Sequence, residues 1–199
     1  MEASKKEKLE EVAEEVRSCT CCRLCEEREN PVVGGGSLDS PLVLVGEAPG
    51  RREDEQGKPF VGSAGKLLDQ ILKKVGIQRD EIFITNVVKC RPPGNRRPRA
   101  QEVEACSRHM AAILGIVAPK VIAPMGNSST GYFMKRFGLR RSNISDVHGR
   151  PFPVETDWGS VVLFPLYHPA AVLYNRGLEA ELLVDFQRLK GFVYGTSSN

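Results

Sequence analysis

The chain has 199 residues, of which 41% are hydrophobic, and a formal net charge of +3. This length can bury a sizeable core and is most simply one domain spanning residues 1–199. No apolar run approaches the roughly 20 residues that cross a bilayer, which argues against a membrane protein. The charged N-terminus lacks the apolar segment of a signal peptide, so we expect a cytoplasmic protein.

Helical and strand-like patterns alternate along the chain. Residues 5–17 carry the apolar stripe of an amphipathic helix, and further helices are predicted over residues 63–77, 99–118, 127–137 and 179–193. Continuous apolar runs, typical of strands buried on both faces, lie at Leu42–Gly46 and at residues 82–88, 121–126 and 161–169. Residues 46–62 are predicted to form a long loop. This alternation predicts an α/β fold with a mostly parallel sheet covered on both faces.

Polar residues follow three of the four predicted strands. Glu47 comes directly after the first strand, Asn86 lies near the end of the second, and His168 follows the fourth. Ligands of parallel sheets bind in the crevice at the carboxyl ends of the strands. We therefore expect a carboxylate, an amide and an imidazole to meet at that edge.

The cysteines are concentrated in one short segment and two later positions. They are Cys19, Cys21, Cys22, Cys25, Cys90 and Cys106. In a reducing compartment such a set indicates a metal or iron–sulfur site rather than disulfides. The spacing alone permits either a zinc ion held by four thiolates or a [4Fe–4S] cluster. It also leaves open which of the overlapping C-x2-C pairs, Cys19 with Cys22 or Cys22 with Cys25, supplies ligands.

Residues 89–99 contain five basic side chains and no acidic one. Such a segment is either a solvated charged loop or a loop that contacts phosphates. Because Cys90 begins the segment, a metal site would fix both this loop and the nearby Asn86. Precise placement of that kind is what a recognition site requires.

Four segments together resemble a known family. "GEAPG", "EDEQGKPFVGSAGKLL", "TNVVKCRPPGNRRP" and "YHPA", in this order and with this cysteine pattern, resemble the family 4 uracil-DNA glycosylases, the iron–sulfur members of their superfamily. The resemblance extends from about Cys19 to the last helix. It implies a three-layer α/β/α sandwich with a four-stranded parallel sheet. It also implies hydrolysis of the N-glycosidic bond of deoxyuridine in DNA, which leaves an abasic site and initiates base excision repair.

The resemblance implies a [4Fe–4S] cluster rather than zinc. Its ligands would be Cys19, Cys22, Cys90 and Cys106, whereas Cys25 matches a cysteine that the family does not use as a ligand. We expect uracil-containing DNA, single- or double-stranded, as the partner, and a monomeric protein. No clamp-binding peptide is visible in the sequence, so a sliding clamp stays an open question.

The family match and the chemistry of uracil assign roles to four residues. Phe60 would stack on a base flipped out of the helix. The amide of Asn86 would pair with both O4 and N3–H of uracil, a pattern that cytosine does not offer. His168 would stabilise the negative charge that develops at O2. Glu47 would orient the attacking water or stabilise the sugar cation.

Two further positions are predicted to contact the base. Ala48 stands where other uracil glycosylase classes have an aspartate, so the chain lacks that general base, as the family does. Glu53 is a candidate for crowding the C5-methyl group of thymine. The predicted DNA contacts are an apolar wedge at Leu173 and the polar residues Arg91, Asn95, Arg96, Arg97 and Arg176.

Two other functions compete with this interpretation. A non-catalytic nucleic-acid-binding module with a structural zinc would explain the cysteines and arginines, but it leaves Glu47, Phe60, Asn86 and His168 unexplained. A hydrolase of the same superfamily that acts on another deaminated base, such as hypoxanthine, would share most of the site. Asn86 favours uracil over that second alternative.

Overall fold

The structure, a computed structural model, describes residues 3–195. The strands of this part of the chain are β1 (Gly35–Gly36), β2 (Leu42–Gly46), β3 (Phe83–Asn86), β4 (Val121–Pro124), β5 (Phe152–Thr156) and β6 (Gly159–Leu163). Its α-helices are α1 (Lys5–Ser18), α2 (Arg51–Gln56), α3 (Ser63–Val75), α4 (Ala100–Val117), α5 (Gly126–Arg136), α6 (Ile144–Val147), α7 (Pro169–Tyr174) and α8 (Leu178–Tyr194). No helix within residues 3–195 is long and apolar enough to span a membrane.

The sheet has the strand order β1-β3-β2-β4-β6-β5. Strands β3, β2, β4 and β6 are parallel, and β1 and β5 pair antiparallel at the two edges. The predicted four-stranded parallel sheet is therefore the centre of a six-stranded mixed sheet, while the α/β class is confirmed. The two edge strands could not be predicted from apolar runs. Strand β1 consists of two glycines, and only one residue of β5, Val154, is buried.

Helices cover both faces of the sheet. Along β2, Val43 and Val45 face one core, which α1, α4, α5 and α6 complete, whereas Leu42 and Leu44 face the other, against α3, α7 and α8. All four side chains are fully buried. This burial on both faces is why the strand appears in the sequence as an uninterrupted apolar run.

Helix α2 lies inside the segment predicted to be a loop. Its sequence, RREDEQ, has no apolar stripe, so periodicity gives no sign of it. The helix is anchored by the buried Asp54, whose carboxylate accepts hydrogen bonds from the backbone N–H of Glu29 and Asn30. It ends at Gly57, which has a φ of 65°. This short helix places Glu53 beside the carboxyl ends of the strands.

The chain reverses direction across the sheet next to β2. From β2 it passes to β3 on one side and later to β4 on the other. Such a switch point opens a crevice at the carboxyl ends of the strands. Gly46 pairs directly with Asn86 at this edge, so the end of β2 forms the floor of the crevice.

Candidate active site and thiol site

A cleft of about 710 Å³ opens at the carboxyl ends of β2, β3 and β4. It contains most of the residues that the sequence singles out, drawn from six separate parts of the chain. Of those residues, the cleft is lined by Glu47, Ala48, Glu53, Phe60, Asn86, Asn95, Arg96, Arg97, His168 and Leu173. Arg91 and Arg176 do not line it.

Gly46 separates an amide from an aromatic ring at the base of the cleft. A Cβ added to Gly46 would lie 2.3 Å from Oδ1 of Asn86 and 2.8 Å from Cζ of Phe60. Asn86 is only 2% exposed and Phe60 only 6%. The missing side chain at Gly46 therefore lets the Asn86 amide and the Phe60 ring pack close against the end of β2, and both residues line the cleft.

The backbone of Phe60 is held in a strained conformation. Its φ is 52°, a region that non-glycine residues rarely adopt. The guanidinium of Arg79 donates to the carbonyl oxygens of Pro59 and Phe60 at 2.8 and 3.1 Å. Strain of this kind persists only where surrounding contacts impose it, and it concentrates at functional sites.

Glu53 fixes the segment that follows Phe60. Its Oε1 accepts hydrogen bonds from the N–H groups of Val61 at 2.9 Å and Gly62 at 2.7 Å. Gly62 is the N-cap residue of α3. The side chain thus reaches from α2 to the start of α3 and stabilises the turn between them, in addition to lining the cleft.

The ring of His168 lies across the cleft from Phe60, with 5.6 Å between the ring centroids. Its Nδ1 accepts a hydrogen bond from the N–H of Ala170 at 3.1 Å, as the cap of α7. Removal of the ring from water lowers its pKa to about 4, and the nearby Glu53 carboxylate only partly opposes this. The imidazole is therefore neutral near pH 7. Because Nδ1 accepts, the ring proton is on Nε2, which is a hydrogen-bond donor.

Glu47 and Ala48 directly follow β2, and both line the cleft. The carbonyl of Glu47 accepts from the N–H of Val88 at 3.2 Å, which extends the pairing of β2 and β3 beyond the strands. This backbone contact fixes the main chain of Glu47 at the end of the strand, and Glu47 and Asn86 line the same cleft.

The rim of the cleft carries polar and apolar groups on opposite sides. On one side Asn95 is exposed, and the Nε of Arg91 donates to its Oδ1 at 2.7 Å. On the other side Leu173 and Tyr174 are 51% and 93% exposed. The neighbouring Val172 is buried in the core.

Two of the predicted phosphate-contacting arginines have different environments. The guanidinium of Arg96 pairs with both carboxylate oxygens of the buried Glu102, at 2.8 and 2.6 Å. The Arg97 side chain is exposed. Arg96 therefore stabilises the start of α4 as well as lining the cleft, whereas Arg97 presents its charge to solvent.

A second, smaller cavity lies behind the sheet edge, and cysteines dominate its lining. The thiol site, as we name it, is lined by Cys19, Cys21, Cys22, Cys25, Cys90 and Cys106, with Arg28, Lys89 and His109. Within residues 3–195, no three His, Cys, Asp or Glu side chains converge closely enough to hold a single metal ion. All six cysteines are free thiols.

Positive and donor groups surround these thiols. Arg28 donates to the Sγ of Cys90 at 3.1 Å, and the backbone N–H of Lys89 donates to the Sγ of Cys106 at 3.3 Å. The Nδ1 of His109 lines the same cavity, is buried, and has no hydrogen-bond partner among the described residues. This donor set suits an anionic group whose sulfur atoms accept hydrogen bonds.

Several residues at the two sites were missed from the sequence. Arg79 contacts Phe60 from nineteen positions along the chain, too far for a local pattern to indicate. Lys89 and Arg28 are charged residue types that are usually found on the surface. Gly126, which has a φ of 86°, also lines the cleft, and a Cβ there would lie 3.1 Å from the Cβ of His168. Its signal was a glycine at the end of the third predicted apolar run, residues 121–126.

Comparison with known proteins agrees with this geometry. A family model described as the uracil DNA glycosylase superfamily matches residues 33–189. The type-4 uracil-DNA glycosylase of Sulfurisphaera tokodaii is 45% identical over 183 residues, covering 92% of this chain and 83% of that protein. Those of Saccharolobus solfataricus and Archaeoglobus fulgidus are 40% and 42% identical, covering 92% of this chain and 85% and 92% of the relatives.

The fold and the cleft define an α/β protein of the uracil DNA glycosylase kind. The chain belongs to the uracil DNA glycosylase superfamily, and within it to the type-4 group.

Proposed function

We propose that the protein is a monofunctional uracil-DNA glycosylase, which flips deoxyuridine out of DNA and hydrolyses its N-glycosidic bond. The observation that carries the proposal is the cleft in which the amide of Asn86, the ring of Phe60 and the imidazole of His168 come together. A planar base that fits there can pair with the amide and stack near the ring. The product is free uracil and an abasic site, so the enzyme initiates base excision repair.

Asn86 selects the base. Its Oδ1 accepts from N3–H of uracil while its amide N–H donates to O4. Cytosine presents the opposite pattern at both positions, which would leave buried polar groups unpaired. Since Asn86 is almost fully buried, water does not substitute for the missing partners.

His168 stabilises the leaving group. As the bond from C1′ to N1 breaks, its electron pair passes to the uracil, and negative charge accumulates largely at O2. The neutral imidazole donates from Nε2, because Nδ1 already accepts from Ala170. A fixed donor aimed at developing charge lowers the barrier more than it strengthens substrate binding.

Glu47 acts on the sugar. The carboxylate stabilises the oxocarbenium-like cation at C1′ and orients the attacking water, whose oxygen forms the new bond to C1′. A proton from that water passes to the Glu47 carboxylate and on to solvent, and uracil leaves as the anion, which solvent then protonates. Ala48 offers no carboxylate here, so Glu47 is the acidic group directly after β2.

The DNA lies across the rim of the cleft. Leu173 enters the space left by the flipped nucleotide, which offsets the cost of unstacking. Arg97, with Arg91, Arg96 and Arg176 along the same surface, contacts phosphates, and Asn95 lies between them and the base.

We also propose that the thiol site holds a [4Fe–4S] cluster through Cys19, Cys22, Cys90 and Cys106. The chemistry of the donor set supports this: thiols from three chain segments, the guanidinium of Arg28 and the unpartnered Nδ1 of His109. The cluster supplies a rigid cross-link between α1, the loop after β3, and α4. About four irons per chain, with matching acid-labile sulfide, are expected on analysis. Stoichiometric zinc without iron would contradict the cluster.

Strand cleavage after alkali tests the activity. The substrates are labelled oligonucleotides, each with a single uracil, thymine or hypoxanthine, and the proteins are the wild type and Asn86→Ala. We expect cutting at uracil alone, with a large loss in the variant. A folded wild type that cuts none of them would contradict the enzyme assignment, and cutting at hypoxanthine would assign the broader specificity.

A further inference from the structure

Lys89 is a fully buried lysine between the two sites. Its side chain is 0% exposed, and it is among the largest side chains that the fold buries completely. Lysine is almost never buried without a partner, because removing an ammonium from water is costly. Within residues 3–195, no carboxylate forms an ion pair with Lys89.

The ammonium is bound to the end of β3. Its Nζ donates to the carbonyl oxygen of Asn86 at 2.5 Å and to the hydroxyl of Thr85 at 2.9 Å. The hydroxyl of Thr85 in turn donates to the carbonyl of Val33 at 2.7 Å. The side chain thus folds back over the four residues before it and fixes the backbone of the residue whose amide lies in the cleft.

The same residue is bound to the thiol site. Its backbone N–H donates to the Sγ of Cys106 at 3.3 Å, and its side chain lines the thiol cavity. Lys89 also directly precedes Cys90 in the sequence. Its backbone is therefore tied to the thiol site on one side, while the hydrogen bonds of its side chain hold Asn86 on the other.

We propose that Lys89 is a positioning residue, a buried cation that joins the thiol site to Asn86 and holds the uracil-recognising amide in place. This inference depends on the proposed function. The hydrogen bond to Cys106 and the bond to Cys90 fix the backbone of Lys89, and its ammonium keeps the end of β3 in register with Gly46. The role is distinct from catalysis, because Lys89 does not line the active-site cleft.

Lys89→Met tests the proposal. Methionine has a similar length and is apolar, so the buried site is filled without an unpaired charge. We expect kcat/KM for uracil excision to fall about tenfold to hundredfold, the size of a lost hydrogen bond to a charged donor. Inhibition by free uracil should weaken by a similar factor. Affinity for a duplex with an abasic site should stay unchanged, because no base then contacts Asn86.

A double-mutant cycle separates positioning from a general structural effect. In the Asn86→Ala background, Lys89→Met should cause no further loss, since the residue through which it acts is gone. Losses that multiply would contradict the proposal. So would a Lys89→Met protein with iron in place and wild-type kinetics.

Iron retention gives a readout independent of activity. Loss of the hydrogen bonds from Lys89 to Thr85 and Asn86 should loosen the segment that carries Cys90 and shorten the half-time of iron release to a chelator in Lys89→Met, whereas unchanged release would contradict the link between the two sites. Lys190→Gln is the control, since the Lys190 ammonium donates to a backbone carbonyl, of Val75, far from both sites. Thr85→Val removes one hydrogen-bond partner of Lys89 with little change of shape. Its losses of kcat/KM and of iron retention should be in the same direction as those of Lys89→Met but smaller. Wild-type protein without uracil excision would instead contradict the proposed function itself.

Discussion

Gly46→Ala tests whether Asn86 and Phe60 must pack closely against the end of β2 for activity. The added methyl would lie 2.3 Å from Oδ1 of Asn86 and 2.8 Å from Cζ of Phe60, well inside the roughly 3.5 Å at which nonbonded atoms attract. Both the amide and the ring would have to move. Overpacking of this size costs about 1–3 kcal/mol, less than the roughly 5–15 kcal/mol by which domains are stable. The variant is therefore expected to fold.

The consequence for activity is larger than the consequence for stability. With the Asn86 amide and the Phe60 ring both displaced, kcat/KM for uracil excision should fall at least about a hundredfold, which corresponds to about 2.7 kcal/mol of transition-state stabilisation. Single-turnover excision from a uracil-containing oligonucleotide measures this, with a thermal melt on the same protein.

Gly115→Ala is the matched control. Gly115 lies in α4, is exposed, and a Cβ there meets nothing within 4 Å. Alanine in a helix is favoured over glycine by roughly 0.5–1 kcal/mol, so this variant should be slightly more stable and fully active. A Gly46→Ala protein with wild-type kcat/KM would refute the assignment of base recognition to Asn86 and Phe60.

Three further results are expected. Because burial lowers the pKa of His168 to about 4, the imidazole stays neutral at pH values below 6.5, the ordinary pKa of histidine. The acidic limb of the pH profile of kcat/KM should therefore fall near pH 4. An inflection at pH 6.5 that disappears in His168→Ala would contradict this. Glu53→Ala leaves two backbone N–H groups unpaired, so the free energy of unfolding should drop by about 1–3 kcal/mol. The variant should still not excise thymine from a labelled oligonucleotide. Thymine excision would instead assign Glu53 to exclusion of the C5-methyl group. Arg97→Ala should reduce the salt dependence of DNA binding by about one charge. Arg96→Ala removes the ion pair with Glu102 and should therefore lower the melting temperature more than the affinity for DNA. A larger loss of DNA affinity in Arg96→Ala than in Arg97→Ala would show that Arg96 is the phosphate contact.

The central fold could be predicted because its strands are buried on both faces. Runs such as LVLVG are apolar at every position, which is typical of a strand buried on both faces, and polar residues directly follow them. The edge strands and α2 could not be predicted, because their stability comes from neighbours. Strand β1 is two glycines paired with β3, and α2 is a polar helix anchored through Asp54.

The candidate residues could be chosen from the sequence, but their chemical state could not. Nothing in "YHPA" indicates that Nδ1 of His168 accepts from Ala170, which decides which nitrogen carries the proton. Lysine next to cysteine in a basic segment predicts an exposed charge, and only the packing shows that Lys89 is buried. Arg79 acts on Phe60 across nineteen positions, a contact that no local pattern encodes.

The account depends most on the neutral His168 as the donor to the departing uracil. Single-turnover release of uracil by the wild type and by His168→Ala, at saturating enzyme and near pH 7, measures its contribution directly. We expect the rate of the chemical step to fall about 10²–10³-fold with little change in DNA affinity, the usual effect of losing one donor to developing charge. A variant that releases uracil at the wild-type rate would contradict the mechanism.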